Sequence, residues 1–315
     1  MKKSAGSSVL IKLLLINLLW VPVNLSIRVA INGGFSPMGL ATARWIAFPA
    51  AMWIALAIPM FRRATGFGLP SVPDRWRAVL IGAALNSPAH ILYYFALPKT
   101  TTLEANVLST TAPIWTGLLA YFILRERESR KRWLAIGIGL TGAYIVTAGI
   151  GAPKLAGGHT AANLVYLVGV VTECVSLVLS AKLVRRSSGI GVLAYNLLGS
   201  AIAFAVFAPL LSGSLPVRAN DLTLGAELAL AYLVCGAGLV GFISWFALMP
   251  RSSVSFMALS LLIQPPLVAF LGWCFLGEIL SPSTVLGSIL VISALYLASR
   301  DQSKHNLTST PLLEP

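Results

Sequence analysis

The chain has 315 residues, of which 57% are hydrophobic and only 10% charged, and its formal net charge is +13. Soluble domains carry about 25% charged residues, so this composition excludes a soluble protein. The polar gaps between apolar stretches are far shorter than the roughly 50 residues of the smallest domains. A polytopic membrane protein without a soluble domain between its spans is therefore indicated.

Ten apolar segments follow one another along the chain, each near the roughly 20 residues that a helix needs to cross a bilayer core. We predict them at residues 9–31, 37–61, 76–97, 101–124, 132–150, 161–184, 190–211, 226–248, 252–276 and 282–299. Helices satisfy their own backbone hydrogen bonds in lipid, and the connections are short. The predicted fold class is all-α, a polytopic membrane protein with ten transmembrane helices.

Basic residues are concentrated on one side of the predicted membrane. That side holds Lys2, Lys3, Arg62, Arg63, Arg75, Arg77, the basic residues of 125–132, Arg185, Arg186, Arg251, Arg300 and Lys304. The other side holds only Lys99, Lys154 and Arg218. By the positive-inside rule both termini are expected in the cytoplasm, which agrees with an even number of spans. The positive charge reflects topology, and no nucleic-acid partner is expected.

One passage of the chain occurs twice, and both copies place proline in the middle of a span. The copies read Phe95-Ala96-Leu97, Pro113, Leu124-Arg125-Glu126 and Tyr144, and then Phe246-Ala247-Leu248, Pro265, Leu276-Gly277-Glu278 and Tyr296. Repeats of interrupted apolar segments are typical of transporters and point to their binding sites.

The duplication divides the chain into two halves. Residues 1–150 hold the first five-helix repeat, residues 151–160 a flexible linker, and residues 161–300 the second repeat. Because five is an odd number of crossings, the two repeats are expected to be inverted relative to each other in the membrane. Residues 301–315 are polar and end in proline, and we expect a disordered cytoplasmic tail.

These motifs carry a family resemblance. Trp20, Asn24 and Arg28 in the first span, Ser36-Pro37, Arg44 in the second span and the duplicated passage resemble the EamA branch of the drug/metabolite transporter superfamily. The resemblance covers residues 9–299. It implies a ten-helix carrier that exports amino acids or other small metabolites.

Ionisable side chains inside a span cost about 2.5–3.5 kcal/mol or more at mid-membrane, so each needs a partner or a water-filled cavity. Glu173 lies nearest the centre of its span. It is predicted to contact a substrate amine or to carry a coupling proton. The alternative is a buried structural pair with Arg44 or Lys182.

His90 lies on a polar face of its span, with Asn86 four residues before it and Tyr93 three residues after it. Spacings of three and four residues place side chains on one side of a helix. Because histidine titrates near neutral pH, His90 is a candidate proton relay as well as a cavity residue. The alternative is a hydrogen-bonded packing residue.

A stripe of polar and aromatic side chains follows the first span at Asn17, Trp20, Asn24 and Arg28. Their spacing puts all four on one side of a helix, which should face the bundle because lipid cannot satisfy polar groups. This side lines a cavity or joins helices. The flat indole of Trp20 favours the cavity.

Arg44 lies about a third of the way into the second span, and a guanidinium there can bind a carboxylate through two parallel hydrogen bonds. The favoured alternative is a salt bridge to Glu104 or Glu173. Leu197 occupies the equivalent place in the second repeat, so the arginine has no counterpart.

The candidate site combines these residues with others from neighbouring spans. The predicted cavity residues are Trp20, Asn24, Arg44, Asn86, His90, Tyr93, Glu173 and Trp245, with Glu173 and His90 as proton-coupling candidates. Pro113, Pro265 and Pro266 are hinge candidates, because proline removes a backbone hydrogen bond inside a helix. A static kink that improves packing is an equal alternative.

The sequence predicts a secondary transporter that exports amino acids or related metabolites by alternating access, with proton coupling as the preferred version. A drug, vitamin or nucleoside carrier of the same fold is the alternative. A membrane enzyme is disfavoured, because Asp74, Asp221 and Asp301 form no acidic pair. We expect no metal and no cofactor. The expected partners are a small-molecule substrate and the plasma-membrane bilayer, with the chain a monomer or homodimer.

Overall fold

The computed structural model describes residues 5–126, 128–150, 159–212, 222–276 and 279–308, which are almost entirely helical and contain no strand. Five helices are continuous: α2 (Pro37–Ala57), α5 (Arg130–Ala148), α6 (Thr160–Val184), α7 (Gly189–Ser212) and α10 (Pro282–Thr308). The other five consist of consecutive helical segments: α1 (Ala5–Trp20 and Val23–Asn32), α3 (Val72–Ile81, Gly82–Asn86, Ser87–Ala96 and Leu97–Lys99), α4 (Thr102–Ser109, Ala112–Leu119 and Ala120–Leu124), α8 (Leu224–Ala231, Tyr232–Phe242, Ile243–Leu248 and Met249–Arg251) and α9 (Val254–Ser260, Leu261–Ile263 and Gln264–Leu276). A short helix, Pro59–Thr65, follows α2.

Each of the ten predicted spans falls on one of these helices, so the all-α polytopic fold is confirmed. Within the described residues, nine helices are long and apolar enough to cross a membrane. The remaining one, α5, has 19 residues and begins with Arg130, Lys131 and Arg132. These three charges lower its mean hydropathy without shortening the helix.

Proline explains where two predicted boundaries were misplaced. The second span was predicted at 37–61, but α2 ends at Ala57 because Pro59 forces the residue before it into an extended conformation. The third was predicted from residue 76, but α3 begins at Val72. Pro73 stands at the start of this helix, where the missing N–H costs nothing.

Hydroxyl side chains define where four helices begin. The side chains of Ser36, Ser129, Thr223 and Ser253 each accept a hydrogen bond from the backbone N–H three residues later, at 3.0 to 3.3 Å. Such bonds satisfy donors that the first helical turn leaves without a partner. The starts of α2, α5, α8 and α9 are thus specified locally.

The chain forms two compact units. The larger unit comprises Leu19–Ser109 and Leu155–Pro250, and the smaller unit comprises Met1–Leu18, Thr110–Lys154 and Arg251–Pro315. Each unit takes helices from both sequence halves. The compact units are therefore not the two sequence repeats.

In the smaller unit, α5 and α10 approach closely at a pair of glycines. A Cβ added to Gly142 would lie 2.6 Å from the carbonyl oxygen of Gly287, and one added to Gly287 would lie 2.6 Å from that of Gly142. Real side chains do not approach a backbone oxygen so closely, so only glycine fits at both positions. Small residues at helix contacts are usual in membranes, where close backbone approach supplies the packing energy.

Arg132 is a second anchor of the smaller unit. Its side chain is buried, lies 3.8 Å from the Glu128 carboxylate and 3.7 Å from that of Asp301, and donates to Ser253 Oγ at 3.2 Å. The guanidinium also lies over the ring of Phe256, 5.1 Å from its centroid. These contacts join the start of α5 to α9 and α10.

The predicted hinge prolines coincide with interruptions of helical geometry. Pro113 follows a break at residues 110–111 of α4. Pro265 and Pro266 follow a 3₁₀ turn at Leu261–Ile263 of α9.

Other interruptions were not predicted. A turn at residues 21–22 divides α1 before Val23, and α3, α4 and α8 contain π-helical segments at Gly82–Asn86, Ala120–Leu124 and Tyr232–Phe242. Segments of this kind are frequent at functional sites.

The last helix is longer than predicted. The last helix continues past Arg300 to Thr308, whereas a disordered tail was predicted from residue 301. Residues 151–158 of the predicted linker, Glu278 of the second repeat and residues 309–315 lie outside the described residues.

Two glycines of α5 give a matched test of the packing. Gly142→Ala should lower the free energy of unfolding by about 1–3 kcal/mol, because the new methyl group overlaps the α10 backbone. Gly137→Ala is the control, since nothing lies within 4 Å of the added Cβ and alanine favours the helix. Thermal unfolding in detergent measures both. Equal melting temperatures would contradict the close contact.

Candidate functional site

The larger unit brings Tyr93 of α3 against Glu173 of α6. The Tyr93 hydroxyl donates a hydrogen bond to Glu173 Oε2 at 2.6 Å. Gly169, one turn before Glu173, makes room for the tyrosine ring, because an added Cβ would lie 2.9 Å from its Cε1. A second tyrosine, Tyr166, packs on this ring at 4.7 Å between centroids. The two tyrosines and the carboxylate form one cluster.

The structural alternatives for Glu173 are not observed in the described part of the chain. Lys182 is exposed, and no ion pair joins Glu173 to Lys182 or Arg44. The carboxylate therefore has a neutral donor, Tyr93, as its hydrogen-bond partner. A group held in this way can exchange a proton or receive a cation without first breaking an ion pair.

His90 lies beside this cluster. Its Nδ1 is 2.8 Å from the carbonyl oxygen of Asn86, and because a carbonyl only accepts, this contact places the proton on Nδ1. The ring lies 4.2 Å from that of Trp45 and 5.7 Å from that of Tyr93, between centroids. His90 is thus a hydrogen-bonded packing residue that also touches the tyrosine holding Glu173.

Six rings form an aromatic cluster that contacts His90 through Trp45, contributed by Trp20, Trp45, Phe48, Phe204, Phe242 and Trp245. Trp20 connects α1 to α8, with centroid distances of 5.4 Å to Phe242 and 5.2 Å to Trp245. Its indole N–H donates to the carbonyl oxygen of Ala237 at 3.0 Å. Trp20 and Trp245 are therefore brought together as expected, although Trp245 is buried.

Arg44 of α2 is 7% exposed, and its guanidinium lies over the Trp45 ring at 5.7 Å from the centroid. The favoured salt bridge to Glu104 or Glu173 is absent among the described residues. Glu104 instead lies 3.0 Å from His159 Nδ1 and accepts from the backbone N–H of Thr101 at 3.1 Å. The described residues do not contain this salt bridge: Glu104 pairs with His159, and the partner of Glu173 is the neutral hydroxyl of Tyr93.

Asn86 and the α1 stripe do not form one cavity wall. Asn86 donates to Ser200 Oγ at 2.9 Å and so joins α3 to α7. Asn17 is fully buried in the smaller unit, whereas Asn24 is exposed in the larger unit. The turn at residues 21–22 breaks the helical register, which is why the predicted single face does not persist.

Asn17 belongs to a buried polar group that includes two residues of α9. Its side-chain amide donates to Ser260 Oγ at 3.1 Å, and Gln264 donates to its Oδ1 at 3.0 Å. Every polar atom of the Asn17 side chain thus has a partner. Its role is to hold α1 against α9.

Two site residues escaped prediction. Tyr166 lies two helical turns before Glu173, so the spacing of seven residues was a usable signal. Trp45 follows Arg44 directly and is an ordinary apolar residue in sequence, which offered no signal. Within the described residues, no group of three His, Cys, Asp or Glu side chains is placed to hold a metal ion.

Comparison with known proteins extends these observations. The sequence matches the EamA-like transporter family twice, over residues 7–148 and 160–300. It is 26% identical over 295 residues to "Uncharacterized transporter YdfC" of Bacillus subtilis, covering 91% of this chain and 90% of the relative. It is 25% identical over 287 residues to "Probable terminal-alkyne amino-acid exporter" of Streptantibioticus cattleyicolor, covering 89% and 90%.

A solved crystal structure has the same fold. It superposes on the chain with a TM-score of 0.74 and covers 94% of this chain and 98% of the other. The two sequences are 20% identical, so this likeness concerns the fold alone.

The two asparagines of α1 allow the structural and cavity interpretations to be separated. Asn17→Ala should lower the free energy of unfolding by about 1–3 kcal/mol, because Ser260 and Gln264 lose a buried partner. Asn24→Ala should change it by less than about 0.5 kcal/mol, since the side chain is exposed. Thermal unfolding of the purified variants measures both, and an equal loss in the two would contradict the assignment.

Proposed function

We propose that this chain, which belongs to the EamA-like transporter family and is a multi-pass membrane transporter of small molecules, exports amino acids or related metabolites. Export occurs by alternating access across the plasma membrane, with both termini in the cytoplasm. The name of the Streptantibioticus cattleyicolor relative supports the substrate class. The concentration of basic residues on one side supports the orientation.

The hydrogen bond between Tyr93 and Glu173 is the observation that carries this proposal. Glu173 lies near the middle of α6, where a bare carboxylate is unfavourable in lipid. A single neutral donor stabilises the charged form without neutralising it. The carboxylate can therefore hold either a proton or the ammonium group of an amino acid, and these two states exclude each other.

Mutual exclusion of proton and substrate is sufficient for antiport. A proton that enters from outside neutralises Glu173 and displaces the substrate amine, and loss of the proton to the cytoplasm restores the binding form. His90 touches Tyr93 and is the proposed relay, because one imidazole nitrogen can accept a proton while the other donates.

Movement between the two access states requires flexible points in the helices. We assign this role to Pro113, Pro265 and Pro266, which follow interruptions in α4 and α9. Proline leaves a carbonyl of the preceding turn without its helical partner, so bending there breaks no further hydrogen bond.

A drug or vitamin carrier is the second candidate, and the aromatic cluster favours it. The half-buried rings of Trp20 and Phe242 offer flat surfaces to a planar organic molecule. The two candidates differ in their need for Glu173: a neutral planar substrate has no ammonium group for the carboxylate to bind.

Glu173→Gln tests the proposal, because it keeps the shape and one hydrogen-bond acceptor but removes the charge and the proton site. Efflux of radiolabelled amino acids from loaded cells should fall at least about tenfold, equivalent to about 1.4 kcal/mol. His90→Ala should reduce efflux in the same direction. Glu227→Gln is the matched control, since Glu227 is an exposed carboxylate at the start of α8.

Dependence on pH provides the second readout. In the wild type, efflux should slow as the external pH rises, because fewer protons are available to displace the substrate. In Glu173→Gln any remaining efflux should no longer respond to external pH. Efflux that keeps the wild-type rate and the wild-type response to external pH in both Glu173→Gln and His90→Ala would remove the proposed coupling role.

A further inference from the structure

Arg44 is a buried cation that forms no ion pair with any described residue. It is 7% exposed, and its Nε is fully buried with no hydrogen-bond acceptor in the described part of the protein. Its described contact is the face of the neighbouring Trp45 ring, 5.7 Å from the centroid. An aromatic face attracts the charge but accepts none of the five guanidinium N–H groups in the manner of an oxygen.

Such an arrangement is costly in the empty protein. Buried charges are ordinarily paired, and an unpaired one loses its hydration without compensation. The carboxylates Glu104 and Glu173 are each bound to other groups. Neither carboxylate is the acceptor for Arg44 among the described residues, so an oxygen acceptor brought by a ligand can pair with its guanidinium.

Trp45 contributes a second buried donor, its Nε1, which has no partner among the described residues. His90 and Tyr232 lie within electrostatic range of the guanidinium, and His90 is also within range of Glu173. His90 thus lies near both a free cation on α2 and a carboxylate on α6.

We propose that Arg44 and the indole N–H of Trp45 form a subsite for the carboxylate of the transported molecule. This inference rests on the proposed function and adds the polarity of its substrate. The planar guanidinium fork matches the two oxygens of a carboxylate. One guanidinium balances the single negative charge of a carboxylate, whereas a phosphate dianion would be only half neutralised.

The subsite fixes the orientation in which the transported molecule binds. The carboxylate binds at Arg44, and the ammonium group binds at Glu173 beside Tyr93, with the aromatic cluster between helices α2, α3 and α8 contacting the side chain. An amino acid satisfies both ends. An amine or an amide satisfies only one, so it binds more weakly.

The stability of the empty protein is the first test. Arg44→Met removes the unpaired charge and keeps the length of the side chain, so the melting temperature of the purified full chain should stay the same or rise. Arg62→Met, at an exposed arginine of the short helix after α2, is the matched control. A fall of more than about 3 °C in Arg44→Met alone would show that the arginine has a structural partner and would overturn the proposal.

Ligand-induced stabilisation is the second test. The twenty L-amino acids and their amides are added in turn to wild type, Arg44→Met and Arg44→Gln at constant ionic strength. At least one amino acid should raise the wild-type melting temperature by about 3 °C or more, with its amide giving less than half of that shift. Both variants should lose the shift, and Arg62→Met should keep it.

Three results would overturn the subsite. The first is that no amino acid raises the melting temperature of the wild type. The second is that an amino acid and its amide raise it equally, and the third is that the rise persists in the Arg44 variants. An equal shift with sodium chloride at the same concentration would likewise overturn the carboxylate assignment.

The subsite and the proposed function fail separately. If Arg44-dependent binding of amino acids is found but proteoliposomes show no amino-acid flux, the export proposal is wrong and the subsite stands. If Arg44→Gln exports amino acids at the wild-type rate with wild-type affinity, the subsite is wrong and the export proposal stands.

Discussion

Lipid offers no hydrogen bonds, and this constraint governs the placement of every polar group in the molecule. Asn17 is buried with Ser260 and Gln264 as partners, and Arg132 is buried beside Glu128 and Asp301. Partners of this kind on neighbouring helices hold the helices together. Where they are incomplete among the described residues, as at Arg44, we propose that a ligand completes them.

Close backbone contact supplies the rigidity on which such incomplete sites depend. The glycine pair of α5 and α10 and the space that Gly169 leaves for Tyr93 both bring helices nearer than any side chain would allow. A buried charge without a counterion persists only if the surrounding helices cannot shift to solvate it. In the larger unit, the close approach at Gly169 fixes the Tyr93 ring beside Glu173.

Sequence reasoning found part of the site because charge is rare in a span. Glu173 and His90 stood out for this reason, and the structure brings Tyr93 between them. Trp45 was missed because an apolar residue among apolar residues carries no signal. Asn17 and Asn24 looked alike in sequence, and their environments differ because the turn at residues 21–22 breaks the helical register.

Composition, hydropathy and the duplicated passage were enough to determine the ten helices, the membrane location and the family, since each depends on local sequence or on its repetition. The partners of each polar side chain were decided only by the tertiary structure. Among the described residues Arg44 has no anion, and Glu104 is bound to His159. Residues far apart in sequence, on helices whose rotation no local pattern specifies, meet or fail to meet only in the folded protein.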